Sequence, residues 1–163
     1  MSQERLQEAI RLRSAGQAEQ ARTILMELLV SKPDDPVLNY QMAWTCDNLG
    51  LEHEAIPFYT RAIEHGLSGD DLAEALLGLG SSYRALGEYQ RAVEILQRGV
   101  AKFPQHRAMQ AFLAMALYNH QHYREAMELL LRNLAESSAD TSIQHYQKAL
   151  LFYAPRLDEV DPG

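Results

Sequence analysis

Apolar residues recur at intervals of three and four along most of the chain, in short stretches separated by glycine or proline. Leu76, Leu79, Gly80, Tyr83 and Leu86 share one helical face. Gly87 ends that pattern, because a residue without Cβ enters the left-handed C-terminal geometry without a steric penalty. Tyr89, Ala92, Val93, Leu96 and Val100 then share the face of a second helix, which Pro104 closes. The same two-part pattern returns upstream and downstream, and no stretch alternates with the period of a strand. Helix hairpins are therefore predicted throughout. Gly80 and Ala92 are small, and the spacing predicts that they face each other across a close antiparallel contact.

Aligned on the turns, Gly16, Gly50, Gly87 and Gln121 stand 34, 37 and 34 residues apart. Ala21, Ala55, Ala92 and Ala126 are each followed four residues later by Leu25, Tyr59, Leu96 and Leu130. A single hairpin of this length cannot bury its own apolar face, so stacking on neighbours is expected. In the third unit, Leu76-x2-Leu79-Gly80-x2-Tyr83, Ala92-x3-Leu96 and Pro104 follow the order of small, large and breaking residues that marks one repeat family. The second unit offers Asn39, Met42, Ala43, Cys46, Ala55 and Tyr59, with Leu67 in the proline place. The fourth offers Gln110, Leu113, Ala114, Leu117, Ala126 and Leu130, with Ser138 there. The first starts weakly at Glu8, Ala9 and Leu12 and is restored by Ala21, Leu25 and Pro33.

On these residues the chain resembles the tetratricopeptide-repeat family. The resemblance implies an all-α fold, a right-handed superhelical solenoid of antiparallel helix pairs with four repeats and a C-terminal capping helix. The expected layout is one domain over residues 1–163, with repeats near 2–35, 36–69, 73–106 and 107–140. A capping helix is expected near 141–154 and a short acidic tail over 155–163.

Several local features refine this layout. Lys32-Pro33-Asp34-Asp35-Pro36 ends one helix and starts another, with Asp35 as cap and Pro36 at the first helical position. Three extra residues enlarge the connection at Gly66–Asp71, where Ser68 and Asp71 have capping-box spacing and predict a longer loop or an early helical turn. The last helical pattern, with Ile143, Tyr146, Leu150 and Tyr153 on one side, has no second helix to pair with. It is expected to cover the apolar flank of the fourth repeat.

Composition narrows the function. The chain has 163 residues, 47% hydrophobic and 23% charged, with a formal net charge of −7. That charge argues against nucleic acid as a partner, since a phosphate-backbone binder presents a basic stripe. No segment approaches the roughly 20 apolar residues of a membrane span, and the first residues carry charge where a signal peptide needs an apolar core. A cytoplasmic, reducing setting is expected. Cys46, the single cysteine, lies on the core face of its helix and is expected to be buried and inert. His120 and His122 stand two apart with only Glu125 nearby, too few ligands for a metal site. No phosphate loop, nucleophile elbow or zinc-type cysteine pair is present, so no catalytic residue, metal or cofactor is assigned and no enzyme is expected.

In a solenoid of this kind the first helix of each pair lines the concave side, which forms a groove for a peptide or partner helix. Transferring one helical stripe between first helices gives Leu6, Ile10 and Arg13, then Val37, Tyr40, Trp44 and Asp47, then Leu77, Ser81 and Arg84, and finally Ala111, Met115 and Tyr118. The set is rich in Tyr, Trp and Arg, the residue types that dominate binding hot spots. Family members that hold acidic chaperone tails resemble one another in placing Lys, Arg and Asn along this groove. Leu6, Ile10, Gln41, Glu74 and Gly78 stand there instead. The expected function is a non-catalytic adaptor or scaffold for a partly apolar protein or peptide, with Arg13 and Arg84 meeting one or two acids. Two alternatives are a homodimer formed through the aromatic stripe or the last helix, and a regulator responsive to an effector or signal peptide.

Overall fold

The computed structural model describes residues 2–160, and the helical pattern is realised throughout. Four hairpins follow in order: α1 (Ser2–Ser14) with α2 (Ala18–Ser31), α3 (Pro36–Asn48) with α4 (Glu52–Glu64), α5 (Gly69–Ala85) with α6 (Tyr89–Lys102), and α7 (Arg107–Asn119) with α8 (Tyr123–Ser137). Each second helix packs on the first helix of the following pair, and each first helix touches the next first helix. The result is a right-handed solenoid with no strand among the described residues.

The turns explain the repeat spacing. Gly16, Gly50 and Gly87 have φ of 79°, 71° and 78°, and the fourth turn places Gln121 at φ 66°. A side chain in that left-handed region costs about 1–2 kcal/mol, so the fourth repeat carries a strain that the other three avoid. The starts are built from side chains. The Asp35 carboxylate accepts hydrogen bonds from the Val37 and Leu38 amides at 3.0 Å, ahead of Pro36. At α7, His106 Nδ1 accepts from the Met109 amide at 3.1 Å, which leaves the ring proton on Nε2 for Glu74 Oε1 at 3.0 Å. Asn39 and Gln110 each turn back six residues to donate to the carbonyls of Pro33 and Pro104, both at 2.8 Å. The two prolines thus keep their carbonyls paired inside the repeat junctions.

Two expectations are corrected, and the close contact at Gly80 is refined. The atoms nearest to Gly80 belong to Leu96, whose Cγ would lie 2.4 Å from a Cβ placed there. Leu96 projects across the hairpin and occupies the space left by the missing side chain. Ser68 stands at the start of α5 with extended geometry but makes no capping bond through its hydroxyl. The extra residues form the early helical turn, which lengthens α5 to 17 residues where α3 has 13. The terminal segment forms its cap as two short helices, α9 (Thr141–His145) and α10 (Gln147–Tyr153), followed by a 3-10 turn at Ala154–Arg156. Asp140 caps α9 by accepting from the Ser142 hydroxyl and from the Ser142 and Ile143 amides, and the hydroxyl, followed by the two amides, holds its carboxyl below the usual range. Tyr146 ends α9 and starts α10, so the chain bends there and runs back along α8. Arg124 at the start of α8 closes the return by pairing with Asp158 at 2.6 Å.

Candidate functional site

The first helices α1, α3, α5 and α7 lie side by side, and the residues three before each turn reveal how they are joined. Arg13 Nη1 donates to Gln41 Oε1 at 2.6 Å on the next first helix. Asp47 Oδ1 accepts from Ser82 Oγ at 2.9 Å on the one after. Arg84 Nη1 donates to Asn119 Oδ1 at 3.1 Å on α7. Each first helix thus gives its successor one polar tie at the same level of the repeat. Tyr118 holds this position in the fourth repeat, is 62% exposed, and meets the ring of Tyr123 edge-on at 5.1 Å.

These ties change how the predicted groove residues stand. Leu6, Arg13 and Tyr40 are buried. They lie between neighbouring helices, because a first helix has to pack on two flanks as well as on its own hairpin partner. Asp47 is half-buried and its carboxylate is already occupied, accepting from Tyr59 Oη at 2.6 Å and from Ser82. Burial pushes the Asp47 carboxyl up while those two hydrogen bonds oppose the rise. The Tyr59 phenol is driven well above its ordinary range by burial and by that carboxylate. Arg13 is lowered by burial. Asp47 therefore joins three helices, and its remaining capacity for a ligand is small.

Val37, Trp44, Met115 and Tyr118 are exposed, whereas Ile10, Leu77, Ser81 and Arg84 are half-buried. The thirteen residues do not form one continuous surface. Leu6 and Val37 border a small recess at the start of α1 and α3. Tyr40, Trp44, Asp47, Leu77 and Ser81 line a recess of about 220 Å³ at the middle of the solenoid. There the Arg13 guanidinium lies 3.9 Å from the Trp44 ring centroid, and the Tyr40 ring tilts against Trp44 at 5.9 Å. Arg84, Met115 and Tyr118 line a third and larger space of about 550 Å³ on the flank of the last repeat, and Ala111 does not line it.

That third space holds residues the stripe argument missed, namely Tyr123, Met127 and Leu130 on α8. The predicted stripe runs along first helices alone. The missing signal was a second apolar stripe on α8, at Tyr123, Met127, Leu130 and Leu134, which continues beyond what α7 can cover. Phe112 and Asn48 at the middle recess were also overlooked.

Elsewhere the chemistry is quiet. Cys46 is fully buried and burial pushes its thiol up to about 11. The His120 and His122 rings stack at 5.1 Å, and His122 pairs with Glu125 at 2.6 Å. Among the described residues no three His, Cys, Asp or Glu side chains converge as metal ligands. No helix among them is long and apolar enough to cross a membrane.

Stacked antiparallel hairpins with a lined inner side define the class, an α-helical repeat solenoid. A family model described as "Tetratrico peptide repeat" matches residues 36–157, and the chain belongs to the tetratricopeptide-repeat family. A MamA structure from Desulfovibrio magneticus RS-1 superposes with a TM-score of 0.76 at 19% identity, covering 94% of this chain and 88% of that one. The TPR-like repeats of a Podosopora anserina putative kinesin light chain give 0.73 at 19% identity, covering 96% and 86%. YrrB, titled a TPR protein with an unusual peptide-binding site, gives 0.72 at 18% identity, covering 93% and 77%. At these identities the likeness is one of fold. No curated protein matches by sequence.

Proposed function

We propose that this chain is a non-catalytic adaptor that binds a peptide or helix of a partner protein on the inner side of its solenoid, with Trp44 as the central anchor. The observation that carries this reading is the Arg13–Trp44 stack. Trp44 is 42% exposed, yet its ring is held from beneath by a guanidinium that is itself tied to Gln41. A large aromatic surface already fixed in place loses little side-chain freedom on binding, which is what makes such residues effective anchors. Leu77 and Phe112 supply an apolar border to the same recess, and Asn48 and Glu74 a polar one. A partly apolar segment fits that lining. The peptide-binding site named for YrrB is in keeping with this reading. The buried, protonated thiol of Cys46 is unsuited to nucleophilic work.

The test is affinity capture from native extract with the wild-type chain and with Trp44→Ala, whose exposed position leaves the helix packing intact. A partner retained by the first and weakened by about 2 kcal/mol, roughly 30-fold, in the second supports the anchor. Equal retention by both chains would remove it.

A second reading, self-association through the cap, is favoured by the exposure of Tyr146, Phe152 and Tyr153. It requires a mass that rises with concentration and falls back to the monomer in Phe152→Glu.

A further inference from the structure

The space on the flank of the last repeat occupies a defined place in the architecture. In the preceding repeats, the first helix of the next pair packs against both helices before it: α3 on α1 and α2, α5 on α3 and α4, α7 on α5 and α6. The cap breaks this rule. Helix α10 packs on α8 and makes no contact with α7. What is left open is the seat that a following first helix would take. Its wall is apolar, built from Ala114, Met115, Ala126, Met127 and Leu130. Two aromatic rings, Tyr118 and Tyr123, stand at its rim.

The polar groups at the seat point to the chemistry of its occupant. Tyr118 is the tie residue of its repeat, and its hydroxyl makes no hydrogen bond to the described residues, whereas Arg13, Asp47 and Arg84 each hold the next helix. Arg84 makes its single bond to Asn119, and its buried Nε has no partner. No acidic side chain lines the seat. In a chain whose formal net charge is −7, the flank thus combines an apolar wall with a guanidinium whose donors are unspent, and a carboxylate is the group that satisfies it.

We propose that this seat takes an amphipathic helix from a partner protein, lying where the first helix of a further repeat would lie, with its apolar stripe against Met115, Met127 and Leu130 and one carboxylate on Arg84. The proposal rests on the interaction-module reading but not on Trp44. A second copy of this chain is a poorer occupant. Helix α1 presents Gln3, Gln7, Glu8 and Arg11 outward, which does not match an apolar wall, and α10 carries Lys148 and no acid.

The chain can be labelled with ¹³C at its methionine methyls and titrated with a synthetic amphipathic helix of about 14 residues, roughly four turns. The helix carries a leucine stripe and one Glu, and a counterpart carries Gln in its place. The expected result is movement of the Met115 and Met127 signals with Met26 on α2 unmoved, and about tenfold weaker binding of the Gln peptide. Arg84→Gln should erase the difference between the two peptides. Met127→Glu, at an exposed position, should block both while leaving the fold intact. Unmoved methyls at about 1 mM peptide, the weak end of specific recognition, overturn the proposal. So does equal affinity for the two peptides. Movement of the same methyls on concentrating the chain alone would assign the seat to a second copy, and tighter occupation by dodecanoate than by either peptide would assign it to an alkyl carboxylate. A change in Trp44 fluorescence with Met115 and Met127 silent would leave the inner-face reading standing and remove this one. The reverse outcome would keep the seat and remove the anchor.

Discussion

At the α1 end of the solenoid the outward side of the first helix carries Gln3, Gln7, Glu8 and Arg11, all exposed, while Leu6 and Ala9 turn inward. At the α8 end the outward side carries Tyr123, Met127, Leu130 and Leu134, each still more than 40% exposed although the cap lies beside them. A repeat stack has to be finished at both ends, because each repeat depends on a neighbour for burial. One end is finished by its own composition. The other is finished by two short helices that cover α8 and stop short of α7. A polar finish leaves no seat for another helix, whereas a partial cover does.

The largest test of this contrast removes the cap. Deleting residues from Ala139 onward uncovers Ala135 and takes away Ile143, Leu150 and Leu151, three half-buried apolar side chains worth about 1 kcal/mol each. A loss of about 3 kcal/mol in urea melts is expected, with aggregation at high concentration. An unchanged midpoint would mean that α8 needs no cover.

The middle of the solenoid should respond differently, through close packing. Gly80→Ala places a Cβ 2.4 Å from Leu96 Cγ, and about 2 kcal/mol of destabilisation is expected, since overpacked cores typically lose 1–3 kcal/mol. A neutral result would show that Leu96 has another rotamer free.

The turns offer a matched exchange between the two ends. Gln121→Gly should relieve the left-handed strain in the last repeat and stabilise by about 1 kcal/mol, and Gly16→Gln should cost a similar amount in the first. Thermal melts of the two variants should move in opposite directions. Equal shifts of the same sign would mean that the turn is held by something other than its φ.

The smallest effect is seen at alkaline pH and belongs to the interior. Burial holds Tyr40 up to about 12 and Cys46 up to about 11. The unfolded chain releases these protons earlier, from about pH 8.5 for the thiol and about 10 for the phenol. The stability they contribute is therefore complete below those values and is lost as pH rises toward the folded ones. Tyr40→Phe should flatten the decline between pH 10 and pH 11 in a denaturation series. A slope identical to the wild type would remove Tyr40 as its source.

Much of this architecture was legible before any coordinates. The turns followed from Gly16, Gly50 and Gly87, because positive φ selects glycine, and the 34-residue interval located Gln121 where composition alone would not. Asp35 and Pro36 marked their helix start because capping is a local interaction. The inner face was read less well. Tyr40 and Trp44 lie one turn apart on the same stripe, yet Tyr40 is buried and Trp44 is exposed. Which of the two falls beneath a neighbour depends on how α1 and α5 converge on α3, and no periodicity within α3 carries that information. Gly80 shows the same limit, since spacing identified a close contact but not that Leu96 would fill it. The open seat was missed for a third reason. It is defined by a contact that α10 fails to make with α7, and the apolar stripe of a capping helix looks the same whether it covers one helix or two.

Cys46 gives the molecule a clock. The thiol sits at zero exposure in the last turn of α3 and stays protonated under ordinary conditions, so a thiol reagent meets it only when the second repeat opens. In a stack joined neighbour to neighbour, the rate at which that one sulfur is modified counts openings of the interior, and its ratio to global unfolding tells whether the solenoid comes apart from an end or from within.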